Sequence, residues 1–196
     1  MSDNDEYFDY LSRRSRLGAL YRRNWLYPQL SQRLLGRTLD VGCGIGDMLV
    51  YRNDTVGVDI NPRTVAFCQA RGAQAHLMRP NELPFDAGEF DSALLDNVLE
   101  HLAEPAPLLG EIHRVLATNG RLLIGVPGRK GWASDPDHKI AYDEGALVDT
   151  GRHHGFRHLE TFHSPLWRSA WLDRTLRQYC IYAAFERVDD RDRYSE

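Results

Sequence analysis

A glycine-rich turn between a short apolar run and a helix-like segment constrains the fold of this chain more than any other feature. The run Thr38–Gly42 leads into Gly42-Cys43-Gly44-Ile45-Gly46, where glycine stands at every second position. Glycine tolerates positive φ and lets a ligand approach the backbone where a Cβ would intrude. A second run, Thr55–Asp59, ends in an acid whose distance from Asp40 (59 − 40 = 19 residues) fits one β–α–β unit. An acid at that place can accept both hydroxyls of a ribose.

Strand-like and helix-like segments alternate along the rest of the chain. Further apolar runs cover Ala73–Met78, Phe90–Asn97, Arg121–Val126, about Arg157–His163 and about Gln178–Arg187. Helical patterns cover Pro62–Arg71, Pro107–Ala117 and about Asp143–His154. This alternation builds a parallel sheet with helices on both faces. We therefore expect an α/β fold with a doubly wound, mostly parallel, Rossmann-like sheet.

Composition and length limit the classes of function. The chain has 196 residues, which suits one domain with a buried core. A net charge of −4 argues against a main role in binding nucleic acid or an acidic membrane surface. Three cysteines form no paired framework, and there is no apolar leader and no apolar run of the roughly 20 residues that span a bilayer. We expect a cytoplasmic protein without a membrane span, and the sequence does not indicate its oligomeric state.

The spacing of the glycines distinguishes two classes of cofactor. Dinucleotide-binding loops follow the pattern G-x-G-x-x-G and hold a pyrophosphate at a helix N-terminus. Here the pattern is G-x-G-x-G, and Asp40 precedes it. A carboxylate beside the loop would repel a pyrophosphate but would attract an ammonium or sulfonium group.

Leu39–Asp47 resembles motif I of the class I S-adenosylmethionine (SAM)-dependent methyltransferases, in particular the small "methyltransferase type 11"-like family. Gly57–Asn61 resembles the acidic ribose-binding motif of the same proteins. The resemblance continues through Glu82–Asp86, Glu89–Asp91, Asn97–Leu102 and Leu116–Ile124. It covers residues 37–126 well and His138 to Phe156 loosely.

This resemblance implies a single domain with a seven-stranded sheet and SAM as the cofactor. Residues 1–36 would form a helical lid, residues 37–126 the cofactor-binding core, and residues 127–196 a substrate loop and a C-terminal hairpin with an antiparallel strand. The implied SAM contacts are Asp40, Gly42, Cys43, Gly44 and Gly46 at the methionine part, Asp59 at the ribose, Ile60, Glu82 and Leu83 near the adenine, and Asp96 and Asn97 at the edge of the site. One departure is Arg79, which stands where relatives often carry an adenine-binding aspartate.

The expected function is methyl transfer from SAM to a small-molecule acceptor, at a hydroxyl of a sugar, a lipid or a quinone-like compound. A hydroxyl acceptor benefits from a general base. His101 and His138 are the catalytic candidates, because they follow the fourth and fifth strands at the edge where ligands bind in α/β sheets. The alternatives are an RNA or protein methyltransferase and a SAM-binding module without catalysis.

The resemblance also raises a metal site at Glu100-His101, since some small-molecule and RNA methyltransferases place E-x-x-E-H here, with a distant histidine, around a divalent ion. In this chain Asn97 stands at the first position of that pattern and is a poor replacement for a carboxylate. His153, His154, His158 and His163 fall in different predicted elements and share no ligand face. We therefore expect no metal, and we expect Glu100 and His101 to begin a helix at the rim of the site.

Overall fold

A seven-stranded sheet runs through the protein, whose computed structural model describes residues 15–189. The strands are β1 (Thr38–Val41), β2 (Thr55–Asp59), β3 (Ala75–Leu77), β4 (Phe90–Asp96), β5 (Leu116–Pro127), β6 (Phe156–Ser164) and β7 (Cys180–Arg187). Their order in the sheet is β3-β2-β1-β4-β5-β7-β6. Strands β1 to β5 are parallel, and β7 is antiparallel to both β5 and β6. This confirms the predicted fold class, including the antiparallel C-terminal hairpin.

Helices connect the strands and cover the sheet. They are α1 (Arg16–Tyr21), a π-helical turn (Arg22–Leu26), α2 (Tyr27–Ser31), α3 (Asp47–Tyr51), α4 (Pro62–Ala70), a 3-10 turn (Leu99–His101), α5 (Ala106–Val115), α6 (Arg129–Trp132), α7 (Glu144–His153) and α8 (Ala170–Thr175). The Asn61 side chain caps α4 by accepting from the backbone of Arg63, and Pro62 fits the first turn. Within residues 15–189, no helix is long and apolar enough to cross a membrane.

Each face of the sheet carries its own core, because successive strand residues point to opposite faces. Leu95 and Leu122 face one side and pack in the cluster that includes Leu109 of α5. Leu94 and Leu123 face the other side and pack with Leu30 of α2. The N-terminal helices, which the sequence predicted as a lid, therefore also form a packed layer on the sheet. Residues 1–14 of the predicted lid lie outside the described part of the chain.

The start of β5 differs from the prediction. The sequence predicted a helix up to Ala117 and a strand from Arg121. Instead α5 ends at Val115, and the extended Leu116 already pairs with Phe90 of β4. The predicted end of the helix and start of the strand were wrong, because Asn119-Gly120 was interpreted as a turn between them. In the structure Asn119, with φ 59°, is an irregularity inside β5.

Candidate cofactor and catalytic site

A cavity of about 540 Å³ lies at the carboxyl ends of β1, β4 and β5. The strand order reverses between β1 and β4, and ligands of open α/β sheets bind at such a point. The wall is built from the glycine loop after β1, the turn after β4, the loop after β5, the N-terminal helical segment and the start of β7 with the residues before it. The fold therefore brings five separate parts of the sequence to one site.

The glycine loop forms one wall of this cavity. Asp40, Gly42, Cys43 and Gly44 all line it, whereas Gly46, the N-cap of α3, lies outside the lining; their contacts with SAM stay predictions. At position 42 φ is 74°, and a Cβ would lie 2.6 Å from a methyl carbon of Val98. Only glycine fits there without strain.

Asp59 connects the end of β2 to the glycine loop. Its side chain is buried, and its two carboxylate oxygens accept the backbone N–H groups of Gly44 (2.9 Å) and Asn61 (2.8 Å). The carboxylate still has lone pairs that could accept ribose hydroxyls. Through these hydrogen bonds Asp59 supports the glycine loop from the side away from the cavity. Asp59 itself does not line the cavity.

Three residues predicted near the adenine also lie outside the cavity lining. Ile60 is exposed at the end of β2. Glu82 is exposed and lies 3.6 Å from the Arg79 guanidinium. Leu83 is buried in the core, and its N–H donates to Glu111. Their role at the adenine stays a prediction.

Carboxylates dominate the middle of the site. The pKa of Asp40 is raised to about 8, mainly by burial and then by the neighbouring Asp96 and Asp59. Asp96 Oδ1 accepts from the Tyr182 hydroxyl (2.8 Å) and from the Asn97 amide (3.0 Å). Asp96 and Asn97 line the cavity, and their contact with SAM stays a prediction. A buried group of acids favours a positively charged ligand, since that ligand offsets the cost of ionising them.

The two predicted catalytic histidines meet at the cavity wall. His101 ends the 3-10 turn after β4, His138 lies in the loop after α6, and their ring centroids are 4.6 Å apart. Burial, and then the neighbouring His138, holds the pKa of His101 below its usual 6.5. An imidazole of this kind is neutral at pH 7 and able to accept a proton.

Glu100 lies beside the two histidines. The sequence did not predict that Glu100 and His138 would be neighbours. The Glu100 side chain is fully buried, and its pKa is raised to about 8 by burial and then by Asp96 and Asp135. One candidate ligand atom from each of Glu100, His101 and His138 lies within 4.8 Å of the others. By contrast, His163 lies 3.2 Å from Glu144, outside this group.

Other site residues were missed by sequence reasoning. Tyr182 of β7 and Tyr21 of α1 line the cavity, and the Tyr21 hydroxyl lies 2.6 Å from that of Ser164. Arg22 also lines the cavity and pairs with Asp47 at 3.2 Å. Tyrosines in a strand or an amphipathic helix carry the same sequence signal as core residues, so nothing marked them.

The sheet order, the glycine loop after β1 and the acid after β2 together define the fold of a class I SAM-dependent methyltransferase. Residues 39–124 match the family described as "Methyltransferase domain". A solved structure from Thermotoga maritima, described as a SAM-dependent methyltransferase and possible histamine N-methyltransferase, has the same fold with a TM-score of 0.75 and 19% identity. The match covers 95% of this chain and 100% of that one.

Two curated relatives agree with this class. A probable SAM-dependent methyltransferase of Mycolicibacterium smegmatis is 32% identical over 55% of this chain and 45% of its own length. The ubiquinone/menaquinone biosynthesis C-methyltransferase of Citrifermentans bemidjiense is 29% identical over 60% of this chain and 57% of its own length. The matches span about half the length of the first curated relatives. These matches confirm the resemblance inferred from the motifs: residues 39–124 are similar to methyltransferase domains, and SAM is the cofactor that this similarity implies.

Proposed function

We propose that this chain transfers the methyl group of SAM to a hydroxyl of a small-molecule acceptor, with His101 and His138 acting at the acceptor oxygen. The observation that carries the proposal is the shared cavity, in which the glycine loop and the two imidazoles form parts of one wall. A donor held by Asp40 and the loop would therefore lie in the same cavity as a base.

The reaction is an in-line displacement at the methyl carbon. The C–O bond forms as the C–S bond breaks, and sulfur leaves as a neutral thioether with the bonding electron pair. The hydroxyl proton passes to a neutral imidazole, for which the low pKa of His101 is suitable. Because the sulfonium is already activated, alignment of donor and acceptor supplies much of the acceleration, up to about 7–11 kcal/mol for well-oriented groups.

The acidic site supports this choice of donor. Asp40 and Asp96 favour the sulfonium and ammonium groups of SAM, as the attraction of opposite charges is strong in a buried site. The carboxylates of Asp96 and Asp135 line the same cavity, so the acceptor that we propose is uncharged or positively charged. A neutral hydroxyl compound fits this requirement, whereas the phosphates of RNA do not.

Incubation with radiolabelled SAM and fractionated extract of the source organism would identify the acceptor. We expect label in a small molecule, in a bond that resists mild base as a methyl ether does. Label in RNA or protein would replace the proposal with that class of substrate. No transfer to any fraction, together with intact SAM binding, would favour a SAM-binding module without catalysis.

His138→Ala tests the role of the imidazoles. Turnover should fall by about 100-fold, while SAM affinity stays within a few-fold, since loss of a general base affects the chemical step. His153→Ala is the matched control, because His153 is an exposed histidine at the end of α7. A fully active His138→Ala variant would contradict the assignment.

C-methylation of a quinone-like ring is the second candidate, and the similarity to the C-methyltransferase of Citrifermentans bemidjiense favours it. The same base would then remove a phenolic proton and leave the ring carbon nucleophilic. The position of the methyl group in the product, determined by NMR, separates a methoxy product from a ring-methylated one.

A further inference from the structure

Two segments that are far apart in sequence are joined by backbone hydrogen bonds at the wall of the cavity. The backbone carbonyl of Glu100, in the turn after β4, accepts from the N–H groups of Lys139 (2.7 Å) and Ile140 (3.2 Å). These bonds hold His138 beside Glu100 and His101, although α5, β5 and α6 separate the segments in sequence. The arrangement of the three side chains is therefore fixed by backbone contacts.

The Glu100 carboxylate lacks the partner that such burial requires. The residue is fully buried, its side chain lines the cavity, and among residues 15–189 neither carboxylate oxygen has a hydrogen-bond partner. Buried charges in proteins are paired or coordinate metal ions, because an unpaired buried charge is very costly. Glu100 therefore requires a cation, or a proton, in the space that it faces.

The orientation of His138 favours a cation. Its Nδ1 lies 2.8 Å from the carbonyl oxygen of Trp132, and a carbonyl only accepts, so Nδ1 carries a hydrogen. In the neutral ring Nε2 then has a lone pair, and it faces Glu100 Oε1 at 3.8 Å. Two acceptors facing each other repel unless a proton or a positive ion lies between them. Metal-binding histidines commonly donate their other N–H to a backbone carbonyl in this way.

We infer that Glu100, His101 and His138 bind a divalent transition-metal ion at the wall of the cavity. One carboxylate oxygen and two imidazole nitrogens suit ions such as Zn²⁺, Fe²⁺ or Co²⁺. Their three ligand atoms lie within 4.8 Å of one another, and Zn²⁺ bonds of about 2.0–2.2 Å would draw them about 1 Å closer. Three protein ligands leave at least one position open toward the cavity.

This inference revises the expectation from the sequence that no metal is bound. That expectation depended on Asn97, which stands where a further carboxylate would be needed. In the structure, the Asn97 amide donates to Asp96 and takes no part in the cluster, while His138 supplies the third ligand. If the proposed function holds, the open position would take the acceptor oxygen and lower the pKa of its hydroxyl, and His101 and His138 would then act at that oxygen through the ion instead of accepting its proton.

Metal binding can be measured without SAM or acceptor. The full-length, untagged protein is stripped with a chelator, and Zn²⁺ binding is measured by equilibrium dialysis, with Co²⁺ absorption as a probe of the ligands. We expect one ion per chain. Glu100→Gln and His101→Ala should each weaken binding by more than the roughly 10–100-fold that loss of a supporting residue causes.

Glu144→Gln is the matched control, because Glu144 lies 3.2 Å from His163 and presents the same pair of residue types elsewhere. Its Zn²⁺ affinity should equal that of the wild type. No stoichiometric binding, or binding that survives both Glu100→Gln and His101→Ala, would overturn the inference. Since Gln nearly matches Glu in shape and removes a buried charge, Glu100→Gln should fold, which thermal unfolding of the metal-free protein checks.

The metal-binding experiment can succeed or fail independently of the methyl-transfer experiment. A chain that binds the ion but transfers no methyl group would support the metal site and contradict the proposed activity. A chain that binds no ion but methylates a hydroxyl compound would do the reverse.

Discussion

Replacement of Asp40 by Asn should stabilise the ligand-free protein, and the gain should grow with pH. Asp40 is buried beside Asp96 and Asp59, and its pKa rises from 3.8 to about 8. Between these two values the folded protein keeps a proton on Asp40 that the unfolded chain has lost. Stability therefore falls as pH increases from about 4 to about 8, by up to about 1.4 kcal/mol for each pH unit.

The magnitude follows from the shift. A difference of about 4 pKa units corresponds to about 5–6 kcal/mol at pH values above both pKa values, and we take this as an upper limit. Asn has nearly the same shape and no charge, so the variant loses this dependence. The difference in unfolding free energy between variant and wild type should be small near pH 4 and reach several kcal/mol near pH 8.

Urea denaturation at a series of pH values measures this difference, because the wild-type contributions of other acids cancel in it. Asp54→Asn, the same substitution at an exposed aspartate, is the matched control. A flat difference for Asp40→Asn would refute the argument that ionising Asp40 opposes folding. Saturating SAM should reduce the pH dependence in the wild type, since its positive groups stabilise the ionised form.

Three further outcomes follow from the site. Asp59→Ala should weaken SAM binding by about 10–100-fold in calorimetry, as the ribose loses a charged acceptor worth about 1.5–3 kcal/mol; unchanged affinity would remove the ribose assignment. Gly42→Ala should lower the unfolding free energy by about 1–3 kcal/mol, because φ is 74° and Val98 is too close; equal denaturation midpoints would contradict this. At saturating SAM, turnover should fall as pH drops through the lowered pKa of His101; turnover that stays constant down to the pH of acid unfolding would exclude His101 as the base.

The sheet could be predicted because its signals are local. The apolar runs that became β1, β2, β4 and β5 are continuous, as expected for strands buried on both faces, and the helix start at Asn61-Pro62 depends on adjacent residues. The start of β5 was missed for the same reason. Asn119-Gly120 has the local signal of a turn after a helix, but pairing with β4 kept the chain extended.

The site was predicted only where it follows strand ends. Asp40 and Asp96 lie at or next to the carboxyl ends of β1 and β4, so the topology brings them together. The contact between Glu100 and His138 depends on the path of the loop after β5, which no periodic pattern encodes. Two backbone bonds to the Glu100 carbonyl set that path.

The acidity of the cavity has a consequence for turnover as well as for binding. Methyl transfer converts the sulfonium of SAM into a neutral thioether, so the product keeps the ammonium group but loses one positive charge. If Asp40 contacts the donor as predicted, its ionisation, which burial opposes, is favoured by the sulfonium and not by the thioether, so Asp40 would hold the product less firmly. A site that binds by charge in this way would distinguish the donor from the product by the charge on sulfur, and the carboxylate that favours SAM would then promote the release of its product.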